Sequence, residues 1–321
     1  MDVSVKSHTG KSMLAWLLSA LAVGHAFPVE TLDSLLVAAS RPKGGTAGAA
    51  VIRLRDDSLV WEHDAWRRML PASTQKVLSA AAFRSILGGG STISTKVLRS
   101  GARKDSVILG DLILEGGGDP SFARGADSTA LDRFARDLRA SGIRRVAGRL
   151  VVRDPLLKRA DRMWPGSWDW DNSLADCDGA PSTGIGVDGN CPGDSSLPFP
   201  HRRVGESFRA ALGKAGVVVD GADRIELGQK SLSTDSVVSI HSSLPIDSLL
   251  EQALAKSSNH DIETMGLLAG ASDSVSSRLG GARSVEARLR WIGLDNARVH
   301  LDDLCGLSRK DSIAARDMAR L

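Results

Sequence analysis

Residues 70–78 read Leu-Pro-Ala-Ser-Thr-Gln-Lys-Val-Leu, which places Ser73 three positions before Lys76. Pro71 favours the start of a helix at this point. Residues i and i+3 lie on the same face of a helix, so the Lys76 amine can point at the Ser73 hydroxyl. A serine hydroxyl becomes a good nucleophile when a base takes its proton, and the first turn of a helix favours developing negative charge. The stretch therefore predicts a helix that carries a serine acyl-enzyme site near its start.

The Ser-x-x-Lys pattern also arises by chance, and a second pattern gives it weight. Another copy, Ser40–Lys43, contains Pro42 and is followed by two glycines, which predicts a loop. By contrast, Lys256 directly precedes Ser257-Ser258-Asn259, the only Ser-x-Asn of the chain. A second serine can relay a proton to a leaving group, and an asparagine can orient a substrate amide. We therefore predict four catalytic residues: Ser73, Lys76, Ser257 and Asn259.

Each of these residues also has a purely structural interpretation. Ser73 can be a helix N-cap and Lys76 a solvated helix residue, while Ser257 and Asn259 can form the turn that ends a helix. The occurrence of both motifs together favours the catalytic interpretation, because a motif gains weight from its context.

Further landmarks accompany the two motifs and resemble those of a known family. They are Gly110-Asp111-Leu112 with Gly116-Gly117-Gly118-Asp119-Pro120, Gly142–Val146 with Gly148, Ala180-Pro181-Ser182, Lys256–Asn259 with Glu263, and Gly306-Leu307-Ser308-Arg309. With these segments in this order, the chain resembles the D-alanyl-D-alanine carboxypeptidase/endopeptidase family of low-mass penicillin-binding proteins, in the branch with a large inserted domain.

The resemblance implies an α/β (α+β) fold, with a β-lactamase/transpeptidase-like serine acyltransferase domain and a β-rich inserted domain. We expect residues 27–90 and 241–321 to form the catalytic domain and residues 91–240 to form the insert. Because Ser73 and Ser257 are far apart in sequence, they can share a site only if the insert returns the chain to its starting point. The hydrophobic pattern predicts a hairpin over 50–61, helices over 129–139 and 204–212, and a helix from Ile246 that leads to Lys256.

The resemblance also implies a reaction, in which Ser73 attacks the D-Ala-D-Ala end or cross-link of a peptidoglycan stem peptide. Lys76 would be the base in its neutral form, Ser257 would pass a proton to the leaving amine, and Asn259 would hold the acyl amide. The expected partners are peptidoglycan stem peptides, with β-lactams as covalent inhibitors, and no cofactor or metal is expected. Two other functions stay open: an inactive form that keeps the fold and binds peptidoglycan, and a serine esterase or β-lactamase on the same scaffold.

The chain departs from the family pattern in two places. The family carries a third element, Lys-Thr-Gly or Lys-Ser-Gly, and neither occurs in these 321 residues. We therefore expect the sequence to be truncated at its C-terminus and, as printed, to be nearly inactive. The other departure is Asp303-Leu304-Cys305-Gly306, where the family has Asp-Gly-Ser-Gly. Since leucine disfavours a left-handed backbone, we expect this turn either to differ or to be strained.

The N-terminus predicts export. Lys6 and Lys11 precede the apolar run 13–24, which is short for a membrane span, so residues 1–26 are interpreted as a signal peptide cleaved before Phe27. An uncleaved anchor or a buried helix is the alternative. The mature chain is expected to contain no membrane span. The full 321-residue sequence has 41 basic and 38 acidic residues, a net charge of +3 without a basic stripe, which argues against a nucleic-acid partner.

Three cysteines leave one without a disulfide partner in an exported protein. Cys177 and Cys191 bracket a short polar loop, and a bridge between them would contribute about 3 kcal/mol of stability. Cys305 could be a nucleophile or a metal ligand, but a buried inert thiol is the favoured interpretation.

The loop-like segment 154–200 contains Trp164, Trp168 and Trp170, which could stack on sugars. We favour the interpretation that they attach the loop to its domain.

Overall fold

The computed structural model describes residues 29–40, 45–125, 129–160, 163–165, 168, 176–272, 278–294 and 299–321. The predicted signal peptide therefore lies outside the described residues. The described residues divide into two compact units, one within 29–67 and 314–320 and the other within 68–313 and 321. In the part of the chain that is described, no helix is both long and apolar enough to cross a membrane.

The described residues form both helices and strands, without a regular alternation along the chain. The helices are α1 (Val29–Ser40), α2 (Gln75–Phe83), α3 (Ala130–Ala140), α4 (Pro200–Lys214), α5 (Ile246–Ala255), α6 (Asn259–Ser272), α7 (Arg278–Trp291) and α8 (Ala315–Ala319). The strands are β1 (Ala49–Arg53), β2 (Ser58–His63), β3 (Arg68–Met69), β4 (Ser94–Arg99), β5 (Arg103–Lys104), β6 (Val107–Ile108), β7 (Leu112–Glu115), β8 (Arg145–Val146), β9 (Leu150–Asp154), β10 (Val218–Val219), β11 (Arg224–Leu227), β12 (Ser236–Ser242), β13 (Val299–His300) and β14 (Ser312–Ala314).

The smaller unit contains the predicted hairpin. Strands β1 and β2 pair antiparallel, with Ala49 opposite His63 and Arg53 opposite Ser58. The connecting turn places Asp57 in a left-handed conformation, with a φ of 55°, which aspartate tolerates better than most residues. Helix α1 extends to Ser40. The prediction that Ser40 lies in a loop is therefore wrong, because this serine ends a helix.

The larger unit contains a five-stranded sheet in the order β11-β9-β7-β4-β12. Strands β11, β9 and β7 run parallel, while β4 pairs antiparallel with both β7 and β12. Every residue of the central strands β7 and β9 is buried, as expected for strands that are covered on both faces. Helix α3 presents its apolar stripe, which includes Phe134 and Leu138, to the same core as Phe208 of α4. The helices predicted over 129–139 and 204–212 are thus confirmed.

The larger unit also contains a group of helices around α2, which packs against α5, α6 and α7. Helices α6 and α7 approach very closely at Gly281 and Gly266. A Cβ atom on Gly281 would lie 2.3 Å from the Gly266 carbonyl oxygen. Helix α5 ends at Ala255, with Lys256 as its C-cap, as predicted. Ser257 then adopts a left-handed conformation, with a φ of 51°, and Asn259 begins α6.

Candidate active site

Ser73 and Lys76 meet at the start of the α2 segment. Residues Ala72–Thr74 form one 3-10 turn that leads directly into α2. The Lys76 Nζ donates a hydrogen bond to the Ser73 Oγ at 2.9 Å, so the contact expected from their spacing is present. Lys76 is only 1% exposed, whereas Ser73 is exposed. A substrate can therefore reach the hydroxyl while the amine lies beneath the surface.

The turn Asp303–Gly306 supplies the other acceptor for the lysine. The Lys76 Nζ donates to the Cys305 carbonyl oxygen at 2.8 Å. Two neighbouring side chains of α2 also bind this turn, since Gln75 Nε2 donates to the Asp303 carbonyl at 2.8 Å and Ser79 Oγ to the Leu304 carbonyl at 2.7 Å. Three successive backbone carbonyls are thus held against one face of α2.

Burial shapes the proton affinity of this lysine. It lowers the pKa of the Lys76 amine below its ordinary value, because an ammonium ion loses hydration in the interior. The nearby acidic groups of Cys305, Asp303, Glu263 and Asp178 oppose that shift. The net effect favours the neutral amine, which is the form that can accept a proton from the serine hydroxyl.

Two buried carboxyl groups, that of Glu263 in α6 and that of Asp303 in the turn itself, accept backbone N–H groups of the turn and of Ser308. Glu263 Oε1 accepts from Leu304 at 2.7 Å and from Cys305 at 3.0 Å. Asp303 accepts from Gly306 at 2.7 Å and Ser308 at 2.6 Å. Gly306 has a φ of 81°, whereas Leu304 is not among the described residues with positive φ. The left-handed strain that we considered at Leu304 is therefore not present.

Cys305 is fully buried, as predicted for an inert thiol. Burial, followed by the charges of Glu263 and Asp303, raises the pKa of this thiol well above its ordinary value. Ligand atoms of Glu263, Asp303 and Cys305 lie within 4.8 Å of one another, a spacing that a metal ion could bridge. However, backbone N–H groups point at these carboxylates, and the thiol resists deprotonation. The donor set therefore fits a metal poorly, and the expectation of no metal or cofactor stays a prediction.

Ser257 and Asn259 lie at the junction of α5 and α6. The Asn259 Nδ2 donates to the Asp178 carbonyl at 3.0 Å. In the described structure, no hydrogen bond joins Ser257 or Asn259 to Ser73 or Lys76. Helix α6 nevertheless reaches the site, because Glu263 lies four residues after Asn259, on the same helix face. The catalytic roles of Ser257 and Asn259 stay predictions.

A disulfide joins Cys177 to Cys191, with 5.5 Å between their Cα atoms, which confirms the predicted bridge. The bridged segment contains a short 3-10 turn, Cys177–Gly179, and Asp178 in that turn is the residue that binds Asn259. The bridge therefore restrains the backbone that holds the Asn259 side chain.

Two of the predicted loop tryptophans attach their segment to neighbouring backbone and side chains. Trp164 Nε1 donates to the Gly179 carbonyl at 2.8 Å, and Trp168 Nε1 donates to Asp303 Oδ2 at 2.9 Å. These contacts favour the attachment role over sugar stacking for both residues. Trp170 lies outside the described residues.

Asp311 is a titratable neighbour of the site that the sequence did not reveal. Its Oδ1 accepts the Asp302 N–H at 2.7 Å and the Asp303 N–H at 3.3 Å. Burial, reinforced by the charge of Asp303, raises the pKa of the Asp311 carboxyl from 3.8 to about 8. Near neutral pH the folded protein therefore keeps a proton on Asp311.

We expect Asp311→Asn to remove a pH-dependent loss of stability. Between about pH 4 and pH 8 the unfolded Asp311 has released its proton while the folded carboxyl retains it, so the wild type loses stability as pH rises. Asparagine does not titrate, and the advantage of the variant should grow through this window by up to about 1.4 kcal/mol per pH unit. Unfolding free energies at pH 5 and pH 8 measure the difference. The exposed Asp105→Asn is the control, and parallel pH curves for wild type and Asp311→Asn would contradict the assignment.

Comparison with known proteins finds a matching family model and similar relatives. The sequence model of the D-Ala-D-Ala carboxypeptidase 3 (S13) family matches residues 29–198 and 196–321. The D-alanyl-D-alanine carboxypeptidase DacB of Haemophilus influenzae is 26% identical over 183 residues, which make up 56% of this chain and 37% of that protein. The D-alanyl-D-alanine carboxypeptidase of an Actinomadura species is 23% identical in an alignment 360 residues long, which covers 89% of this chain and 65% of that protein. The chain thus spans less than two thirds of the length of either relative.

The fold is similar to a solved structure. The crystal structure of penicillin binding protein 4 (dacB) from Haemophilus influenzae aligns with a TM-score of 0.78 and 20% identity, covering 91% of this chain and 77% of that one. This similarity confirms the predicted α/β fold class. The family match includes Ser73 and Lys76 in its first segment, and Ser257, Asn259 and the 303–306 turn in its second. The chain therefore belongs to the D-Ala-D-Ala carboxypeptidase 3 (S13) family.

Proposed function

We propose that this chain carries the acylation site of a serine-type D-Ala-D-Ala carboxypeptidase or endopeptidase that acts on peptidoglycan stem peptides. The observation that carries the proposal is the pair Ser73–Lys76: an exposed hydroxyl that accepts a 2.9 Å hydrogen bond from a buried amine. Burial lowers the pKa of that amine, which fits it to act as a base. Membership of the S13 family supports the substrate class.

The Ser73–Lys76 contact and the family membership support the following reaction. Neutral Lys76 takes the proton of Ser73 Oγ as the oxygen attacks the carbonyl carbon, and the backbone N–H of Ser73 is one donor to the developing oxyanion. Collapse of the tetrahedral intermediate breaks the C–N bond, and the proton that Lys76 took from Ser73 passes through the Ser257 hydroxyl to the leaving amine, which restores neutral Lys76. Water then hydrolyses the Ser73 ester and regenerates the hydroxyl. Asn259, whose Nδ2 is held by the Asp178 carbonyl, would use its Oδ1 to accept the N–H of the acyl part.

The remaining expectations about partners and location are part of the same proposal. One structure of the Haemophilus influenzae penicillin binding protein 4 contains a β-lactam, and by similarity we propose that β-lactams acylate Ser73. The disulfide Cys177–Cys191 fits an oxidising compartment, which supports export to the periplasm or the medium under a signal peptide at 1–26.

The expected domain organisation also belongs to the proposal. The five-stranded sheet uses only strands between Ser94 and Ser242, which supports an insert over 91–240.

The test is labelling with a fluorescent penicillin, together with release of D-alanine from a peptide that ends in D-Ala-D-Ala. The protein should be produced from its complete gene. Ser73→Ala should abolish both signals, because it removes the hydroxyl that is hydrogen-bonded to the Lys76 amine. Ser85→Ala, which changes an exposed serine just after α2, should leave both signals unchanged.

The outcomes separate the proposed activity from its alternatives. Undiminished labelling of Ser73→Ala would refute the nucleophile. Absence of wild-type labelling would favour an inactive, peptidoglycan-binding form. Rapid release of the penicilloyl group without D-alanine release would favour a β-lactamase or esterase.

A further inference from the structure

We propose that Glu263 is a positioning residue for the catalytic lysine: it holds the 303–306 turn so that the Cys305 carbonyl keeps the Lys76 amine against Ser73. This inference rests on the proposed acyl-enzyme function and extends it to a residue that neither binds the substrate nor transfers a proton. Glu263 is fully buried in α6, one helical turn after Asn259.

The contacts form a chain from α6 to α2 through the backbone of the turn. Glu263 Oε1 accepts the Cys305 N–H at 3.0 Å, and that N–H belongs to the same peptide unit as the Leu304 carbonyl, which accepts from Ser79 Oγ at 2.7 Å. This peptide unit is therefore bonded to α6 on one side and to α2 on the other. Because peptide units are planar and rigid, its orientation is fixed at both ends.

The next peptide unit carries the functional acceptor. Its carbonyl is that of Cys305, which accepts from Lys76 Nζ at 2.8 Å, and its N–H is that of Gly306, which donates to Asp303 Oδ1 at 2.7 Å. The direction of the Cys305 carbonyl thus depends on the preceding peptide unit, which Glu263 holds. A shift of about 1 Å in a catalytic group can cost roughly 10²-fold in rate.

Glu263 also acts on the lysine through its charge. The charged or titratable groups that influence Lys76 are Cys305 and Asp303 of the turn, Glu263 of α6, and Asp178 of the bridged 3-10 turn. The buried carboxylate of Glu263 raises the pKa of Lys76 and so opposes the effect of burial. Glu263 therefore has two separable effects. Its effect on geometry is measured by the maximal acylation rate, and its effect through charge is measured by the pH dependence of that rate.

The variants Glu263→Gln and Glu263→Ala separate these effects. Glutamine keeps an oxygen that can accept the Leu304 and Cys305 N–H groups but removes the charge. We expect the acid limb of the acylation rate to move to lower pH by about one unit, with the maximal rate nearly unchanged. Alanine removes the acceptor as well, and we expect the maximal acylation rate to fall roughly 10²-fold.

The matched control is Glu286→Gln. Glu286 Oε1 accepts the Leu301 N–H at 3.0 Å, so it also holds the backbone just before the turn, but it is not among the groups that act on Lys76. This variant should leave the pH profile unchanged. Circular dichroism melts of all variants show whether each one folds.

A second measurement keeps this proposal distinct from the proposed function. The ¹³Cε chemical shift of Lys76, followed against pH in protein with labelled lysine, reports its pKa without any need for activity. A lower Lys76 pKa in Glu263→Gln than in wild type supports the action of Glu263 on Lys76 through charge, even if Ser73 proves not to be acylated. An unchanged Lys76 pKa in Glu263→Gln would overturn that charge effect, and wild-type acylation by a folded Glu263→Ala would overturn the positioning role.

Discussion

Lys76→Met is expected to lower the rate of Ser73 acylation by roughly 10³- to 10⁶-fold, as for other coupled nucleophile–base units. Methionine is nearly the same length and suits a buried position, but it cannot take the hydroxyl proton. The variant also loses the hydrogen bonds to Ser73 Oγ and the Cys305 carbonyl. Stopped-flow acylation with a chromogenic β-lactam, on protein from the complete gene, measures the loss.

Lys76→Arg separates the base from the cation. Arginine keeps a positive charge and several donors but does not lose its proton at any relevant pH. If Lys76 acts as a base, both Lys76→Met and Lys76→Arg should be almost inactive. Substantial activity of Lys76→Arg would show that the residue acts as a fixed cation. The exposed Lys214→Met is the control for the chemical change itself, and it should acylate normally.

The sequence predicted the parts of the site that depend on local spacing. Ser73 and Lys76 share a helical face because they are three residues apart, and tertiary packing did not change that relation. The hairpin of β1 and β2 and the amphipathic helix α3 were predicted for the same reason, since their hydrophobic patterns are local. By contrast, α6 was not predicted as a helix. Residues 261–267 are all buried, so this helix has no polar face to reveal its period.

The partners of Lys76 were beyond the reach of sequence reasoning. The acceptor at Cys305 is a backbone carbonyl, which every residue type carries, so the side chain at this position gives no signal. Glu263 appeared only as a landmark after Asn259, and nothing in its spacing indicated that it binds backbone N–H groups of the 303–306 turn. Such contacts depend on how α6 and the turn pack around α2, which is a long-range property of the fold.

Gly306→Ala is expected to cost about 3–5 kcal/mol of stability. Gly306 has a φ of 81°, a left-handed conformation that strains alanine. A Cβ atom on Gly306 would also lie 1.9 Å from the Ala72 carbonyl oxygen, so the backbone directly before Ser73 must move. The melting temperature should fall by about 10 °C, and acylation of Ser73 should fall with it. Differential scanning calorimetry and penicillin labelling measure the two effects.

Gly293→Ala is the matched control, because it imposes the same kind of backbone strain without a steric clash. Gly293 has a φ of 92°, and a Cβ atom there would meet nothing within 4 Å. This variant should lose only about 1–2 kcal/mol and keep its acylation rate. The difference between the two variants therefore isolates the contact between the 303–306 turn and Ala72. If Gly306→Ala has the same melting temperature as Gly293→Ala and is labelled at the wild-type rate, the 303–306 turn does not support the nucleophile. The carbonyl that holds Lys76 would then have to be placed by other contacts.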